Sequence, residues 1–190
     1  MSHRPTLARF TIGVMGSGSQ DHLELAEPLG KMLAQLDVNL LTGGGSGVMR
    51  AVSRAFTGHE GRRGICIGGV IPCASETDRV TPKAGYPNEF VELAIRTHLP
   101  KSGREGTDDL SRNHINILTC AAIVALPGEL GTASEVAVAL RYGKPIIAYT
   151  SSPERLTHFA HGVERTTSID RVRAFLLEYL QRTPQDARRS

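Results

Sequence analysis

Tryptophan is absent from these 190 residues, and the remaining aromatics are sparse: five Phe and four Tyr, scattered along the chain. Proteins that grip single-stranded nucleic acid need aromatic platforms set along a basic groove. The net charge here is only +3, and part of it sits at ends such as Arg188-Arg189. Nucleic acid is therefore not expected as the main partner. The three cysteines, Cys66, Cys73 and Cys120, form no CxxC pair and have no His at zinc spacing. No metal site is expected, and buried free thiols are the reading for Cys66 and Cys120, which lie in or beside apolar segments. Neither a leader-like N-terminal apolar stretch nor a membrane-length apolar run occurs, so no membrane partner is expected and the chain reads as cytoplasmic.

With 40% apolar and 22% charged residues, the composition is that of an ordinary folded domain. The length suits one core. A single domain is expected over residues 1–183, with 184–190 as a disordered tail.

Apolar, β-branched runs alternate with amphipathic segments. Strands are predicted over Phe10 to Met15, Val38 to Leu41, Gly64 to Ile71, Val91 to Thr97, Ala122 to Leu126 and, last, Pro145 to Tyr149. Helices are predicted from about His22 to Gln35, Gly47 to Phe56, Thr132 to Tyr142 and Ile169 to Leu180. A further helix carries Leu110, His114, Ile117 and Leu118, capped by Asp108 or Asp109. Cys73 to Phe90 is polar, with Pro82, Gly85 and Pro87, and reads as an exposed loop suited to a lid. This alternation specifies an α/β fold: one Rossmann-like, doubly wound parallel sheet with helices on both faces. Ligands of such sheets sit beyond the carboxyl ends of the strands.

Three glycine-bearing turns fall at those ends. Gly16-Ser17-Gly18-Ser19 follows the first strand but lacks the third glycine of a dinucleotide fingerprint, since Asp21 stands there. A phosphate or base contact and a plain tight turn both remain open for Gly16 and Ser17. Gly43-Gly44-Gly45-Ser46-Gly47 packs four glycines into five residues. That is a conformational cost a simple connector rarely carries, and close approach of a ligand is the preferred reading. The third turn is Pro127-Gly128-Glu129-Leu130-Gly131-Thr132. It exposes N–H groups at the positive end of a helix, where a phosphate is stabilised. Thr132 and Glu135 stand at capping-box spacing. Glu135 either caps its own helix or faces the crevice, there accepting ribose hydroxyls or moving a proton. Arg112-Asn113 lies upstream, and Arg96, Thr97 and Lys101 are candidates to line the crevice from a neighbouring loop.

Together these residues resemble the Lonely guy family, long mislabelled as lysine decarboxylases, and its relatives the molybdenum-cofactor carrier proteins. The family motif PGGxGTxxE is matched by Pro127 to Glu135, with an Arg the same interval upstream. The resemblance implies Arg112 and Glu135 as a catalytic pair. It implies Gly128, Gly131 and Thr132 as ligands of a nucleoside 5′-monophosphate phosphate, with Pro127 and Asn113 beside them. It also implies a homodimer. Two positions depart from the pattern. Glu129 replaces the second motif glycine, so either it points outward or the ligand is not a simple phosphate. Asn113 replaces the Lys of activated members, a form more like the carrier branch. Two functions are thereby implied. One is a phosphoribohydrolase releasing a free purine-type base and ribose 5-phosphate, with no cofactor required. The other is a non-catalytic carrier with molybdenum cofactor or a nucleotide as cargo.

Overall fold

The computed structural model describes residues 9–75, 77–99, 101–156 and 159–181. The predicted tail at 184–190 lies outside them, as does His158. Seven strands form one all-parallel sheet: β1 (Thr11–Met15), β2 (Asn39–Thr42), β3 (Cys66–Ile71), β4 (Leu93–Arg96), β5 (Ala122–Ala125), β6 (Ile146–Tyr149) and β7 (Glu164–Thr166). Their spatial order is β4-β3-β2-β1-β5-β6-β7. Among the described residues five α-helices accompany the sheet: α1 (Leu23–Gln35), α2 (Val48–Thr57), α3 (Asn113–Thr119), α4 (Leu130–Arg141) and α5 (Ile169–Leu180), with short 3-10 turns at Gly103–Glu105 and Pro153–Leu156. None of the described helices is long and apolar enough to cross a membrane.

Strand side chains alternate between two cores. Ile12, Val14, Leu40, Ala122 and Val124 pack under α1, α2 and α5 with Phe56 and Phe175, all buried. Met15, Leu41, Ile67, Ile123 and Ala125 face the other way, against Ile117 of α3 and Val136 and Ala139 of α4. A period of two places the two sets on opposite faces of the sheet.

The chain leaves β1 toward β2, β3 and β4, and then returns to lay β5 on the opposite side of β1. The direction of winding therefore reverses between β1 and β5. Side chains leave a crevice at such a reversal, outside the carboxyl ends of the two strands. The Gly16 turn leaves β1 there and the Pro127 turn leaves β5 there. The Ser17 N–H donates to the Pro127 carbonyl at 3.1 Å and joins the two turns directly.

Three local expectations need correction. Pro145 to Tyr149 is not the last strand, because β7 extends the edge. Its Glu-Arg-Thr sequence is exposed or half-buried and carries no apolar signal. Neither Asp108 nor Asp109 caps α3, which starts at Asn113 after Arg112. Asp108 instead pairs with Lys101 at 2.7 Å and accepts the Leu110 N–H, while Leu110 is exposed. Helix α4 starts at Leu130 with Glu129 in the capping position, so Thr132 and Glu135 do not form a capping box. Thr132 sits in the first turn and Glu135 in the second. All three cysteines are free and buried.

Candidate functional site

The switch point opens into a cleft of about 270 Å³, lined by Gly16 and Gly18 after β1, Glu129, Gly131, Thr132 and Glu135 of the α4 entry, and Arg112-Asn113. Lys83, Tyr86, Met49, Ser102 and Gly103 close the remaining sides. Its floor is the amino end of α4. The Ala133 N–H is the first in that helix to find a backbone acceptor, Glu129 O at 3.0 Å. Gly128, Glu129, Leu130, Gly131 and Thr132 donate no backbone hydrogen bond to any described residue. Successive unmatched amides at a helix start form an anion cradle. Gly128 has no room for a side chain, since a Cβ would meet Thr132 Oγ1 and the Ser17 amide. Its bareness lets the two turns touch.

Arg112 is 5% exposed and thoroughly held. Its Nη1 donates to Val70 O at 2.7 Å and to Gly43 O at 3.1 Å, and the guanidinium lies 5.4 Å over the Tyr86 ring. Its Nε is buried with no acceptor among the described residues. The Val70 carbonyl is free to receive it because the β3–β4 ladder shifts register between Gly68 and Val70. At that bulge the Val70 N–H donates to Asn116 Oδ1 at 2.6 Å. A buried amide of α3 thus fixes the bulge that seats the arginine.

Glu135 lines the same cleft, partly buried, and no described residue hydrogen-bonds its carboxylate. Burial pushes its pKa up to about 7, opposed by the positive charge of Arg112. The carboxyl is therefore shared between acid and base forms at neutral pH. Lys83 brings an ammonium to the opposite wall without an ion pair among the described residues.

The remaining sequence candidates fall into place around this cleft. Asn113 lines it, but its Nδ2 donates to Ser134 Oγ at 3.3 Å. Ser17 is buried, and its hydroxyl accepts the N–H groups of Ser19 and Gln20. Glu129 points along the rim and accepts from Ser19 Oγ at 3.2 Å. The triple-glycine turn lies behind the cleft wall. The Gly43 carbonyl receives Arg112, the Gly44 carbonyl receives the Asn88 N–H, and the Gly45 carbonyl receives Asn88 Nδ2. A Cβ on Gly45 would meet the Tyr86 ring at 2.7 Å, and one on Gly47 would strike the Ser17 carbonyl. The close approach at this turn is made by the protein's own side chains. Arg96 and Thr97 line a different cavity, and Lys101 is taken by Asp108.

Sequence reasoning passed over Lys83, Tyr86, Ser102 and Gly103. The one available signal was the Lys-x-Gly-Tyr-Pro punctuation of the 83–87 segment, which marks a structured turn rather than a spacer. Among the described residues, no group of three His, Cys, Asp or Glu could hold a metal ion.

The parallel sheet with helices on both faces and a cleft at its switch point places the chain among the doubly wound α/β proteins. Residues 9–175 match the SLOG cluster4 family, and the chain belongs to it. The molybdenum cofactor binding protein of the phototrophic bacterium Rippkaea orientalis is 29% identical. It superposes with a TM-score of 0.68 over 91% of this chain and 98% of that one. The molybdenum cofactor carrier protein of Chlamydomonas reinhardtii is 28% identical, with a TM-score of 0.64 over 92% of this chain and all of that one. An uncharacterized protein of Archaeoglobus fulgidus is 28% identical over 137 residues, 71% of this chain and 76% of that one.

Proposed function

We propose that the switch-point cleft binds the phosphate end of a small anion with a flat heterocyclic body, and that the protein carries this cargo. The molybdenum cofactor is the first candidate, with a purine nucleotide as the alternative cargo. One observation carries the reading: Gly131 and Thr132, whose amides find no backbone acceptor among the described residues, line the same cleft as the Arg112 and Lys83 cations. Helix-start amides and cations together hold a phosphate well. The relatives at 28–29% identity that bind or carry molybdenum cofactor lend the cargo its identity. In this reading Gly131 and Thr132 take the phosphate, with Gly128 shaping their turn, Lys83 and Arg112 neutralise it, and the ring lies against the Gly16 and Gly18 side of the cleft. A carrier is also favoured by how fully Arg112 and Asn113 are engaged within the protein.

A second reading, phosphoribohydrolase chemistry, is supported by Glu135. A carboxyl titrating at about 7 in a phosphate-binding cleft is suited to moving a proton at neutral pH. Ionised Glu135 would then stabilise the positive charge developing on the ribose, and Arg112 would neutralise the phosphate or orient Glu135. The family resemblance further points to a homodimer, which sedimentation equilibrium tests.

The two functions separate cleanly. Protein produced in cells that make molybdenum cofactor is purified, oxidised and assayed for pterin fluorescence, and in parallel incubated with AMP. Stoichiometric pterin that is lost in Thr132→Val, with no adenine released, is the expected result. Adenine release abolished by Glu135→Gln, without bound pterin, would replace the carrier with the hydrolase.

A further inference from the structure

A second cavity lies apart from the switch-point cleft. It measures about 350 Å³ and sits at the carboxyl ends of β3 and β4, where Ile71 pairs with Arg96. Past that point the chain continues as Thr97 and His98, with the Thr97 N–H still donating to Ile71 O at 3.3 Å. The opposite wall is a hairpin folded back from β3. Cys73 bridges to Pro82, the Ala74 N–H donates to Thr81 O at 2.8 Å, and the Lys83 N–H donates to Pro72 O at 3.0 Å. The buried Cys73 thiol ties the two walls together, donating toward Ser75 O at 3.4 Å and His98 O at 3.6 Å. Of the segment expected as an exposed loop suited to a lid, residues 73–75 and 77–82 thus form one wall of this cavity.

The chemistry facing this space is one-sided. Arg79, Arg96 and His98 supply cationic or polar nitrogen, Thr81 and Thr97 supply hydroxyls, and no described lining residue is acidic. Arg96 forms no ion pair or hydrogen bond through its guanidinium among the described residues. Asp78, on the hairpin itself, is turned into its own loop. Its carboxylate accepts the Thr81 N–H at 3.0 Å and the Val80 N–H at 3.3 Å. Beside the cations, Val80 is 82% exposed and Pro82 and Ile71 continue an apolar wall. An exposed branched apolar side chain next to guanidinium groups suits a ligand with an anionic head and an apolar or planar body.

We propose that this cavity is a second anion-binding site, taking the phosphate of a small organic phosphate between Arg96, His98 and the Thr81 and Thr97 hydroxyls. It stands independently of the cleft, since the hairpin presents residues 79–82 to one space and Lys83 and Tyr86 to the other. Arginine and hydroxyl donors recognise phosphate oxygens by charge-assisted hydrogen bonds. The hairpin is anchored by backbone pairing, so the site is built before the ligand arrives.

The test is an amide NMR titration of the whole protein with inorganic phosphate, at ionic strength held constant with chloride. Saturable shifts are expected at Thr81, Thr97 and His98. In Arg96→Ala their affinity falls about tenfold, the loss of one charge-assisted hydrogen bond. Unchanged spectra elsewhere show that the variant is folded, and His98→Ala gives a second, independent loss. Shifts that chloride reproduces, or that Arg96→Ala leaves intact, would overturn the site. A response confined to Gly131 and Thr132 would overturn it while leaving the cleft standing; a response confined to Thr81, Thr97 and His98 would do the reverse.

Discussion

Glu135 couples the cleft to pH. Its pKa rises to about 7 in the folded chain from an ordinary value of 4.5, so the unfolded chain loses this proton first. Stability therefore falls as pH climbs from about 4.5 through 7, because burial of the charged form is resisted. Glu135→Gln removes that dependence. Its stability relative to wild type is expected to improve between pH 5 and pH 8 by on the order of 1–3 kcal/mol, read from urea unfolding at the two pH values. An identical offset at both would show that the carboxyl titrates normally. Arg112 is the complementary case. A lysine ammonium lacks the planar guanidinium face that lies over Tyr86 and presents its donors in a different geometry to Gly43 O and Val70 O, so Arg112→Lys should cost about 1–3 kcal/mol by the same measurement. Stability equal to wild type would mean that the paired contacts to Gly43 and Val70 contribute nothing. The family resemblance of the Pro127–Glu135 motif, with an Arg upstream, implied both residues at the crevice. It did not show that Arg112 is tied into the backbone, because its acceptors lie 69 and 42 residues away in the chain.

At the scale of elements, apolar periodicity was most readable where burial was complete. Ile169–Leu180 appears as expected, and β1, β2, β3, β5 and β6 fall within a residue or two of their apolar runs. Legibility failed where tertiary contacts decide. The polar β7 owes its conformation to pairing with β6, and the start of α4 is set by contact of its entry turn with the β1 turn. The triple glycine was visible, but its cause was not: it accommodates Tyr86, Arg112 and Asn88 from distant segments. Close helix packing gives a direct test. A Cβ on Gly30 of α1 would lie 2.6 Å from Val52 O and 2.7 Å from Ala55 Cβ of α2. Gly30→Val forces the two helices apart and should cost about 1–3 kcal/mol or more, measured by thermal or urea unfolding. A neutral substitution would contradict the close approach. The bulge in β3 is a second test. Asn116→Ala strands the Val70 N–H inside the core and should cost about 1–3 kcal/mol, with weaker ligand binding because Arg112 loses its seat.

For the molecule as a whole, strand order sets the site. Winding reverses between β1 and β5, and only there do two loops of opposite course leave a gap. The sequence made this place legible by putting a glycine turn after each of those strands. Contact between the turns depends on Gly128, where a Cβ would collide with Thr132 and Ser17. Gly128→Ala should therefore spread the turns and weaken anion binding at least tenfold, read by calorimetric titration. Unchanged affinity would separate the cradle from the turn contact. The most direct measurement is a crystal structure of the protein bound to AMP. The phosphate is expected within hydrogen-bonding distance of the Gly131 and Thr132 amides, with Arg112 and Lys83 alongside. A fully occupied nucleotide bound elsewhere, with the α4 entry turn still bare, would contradict the account.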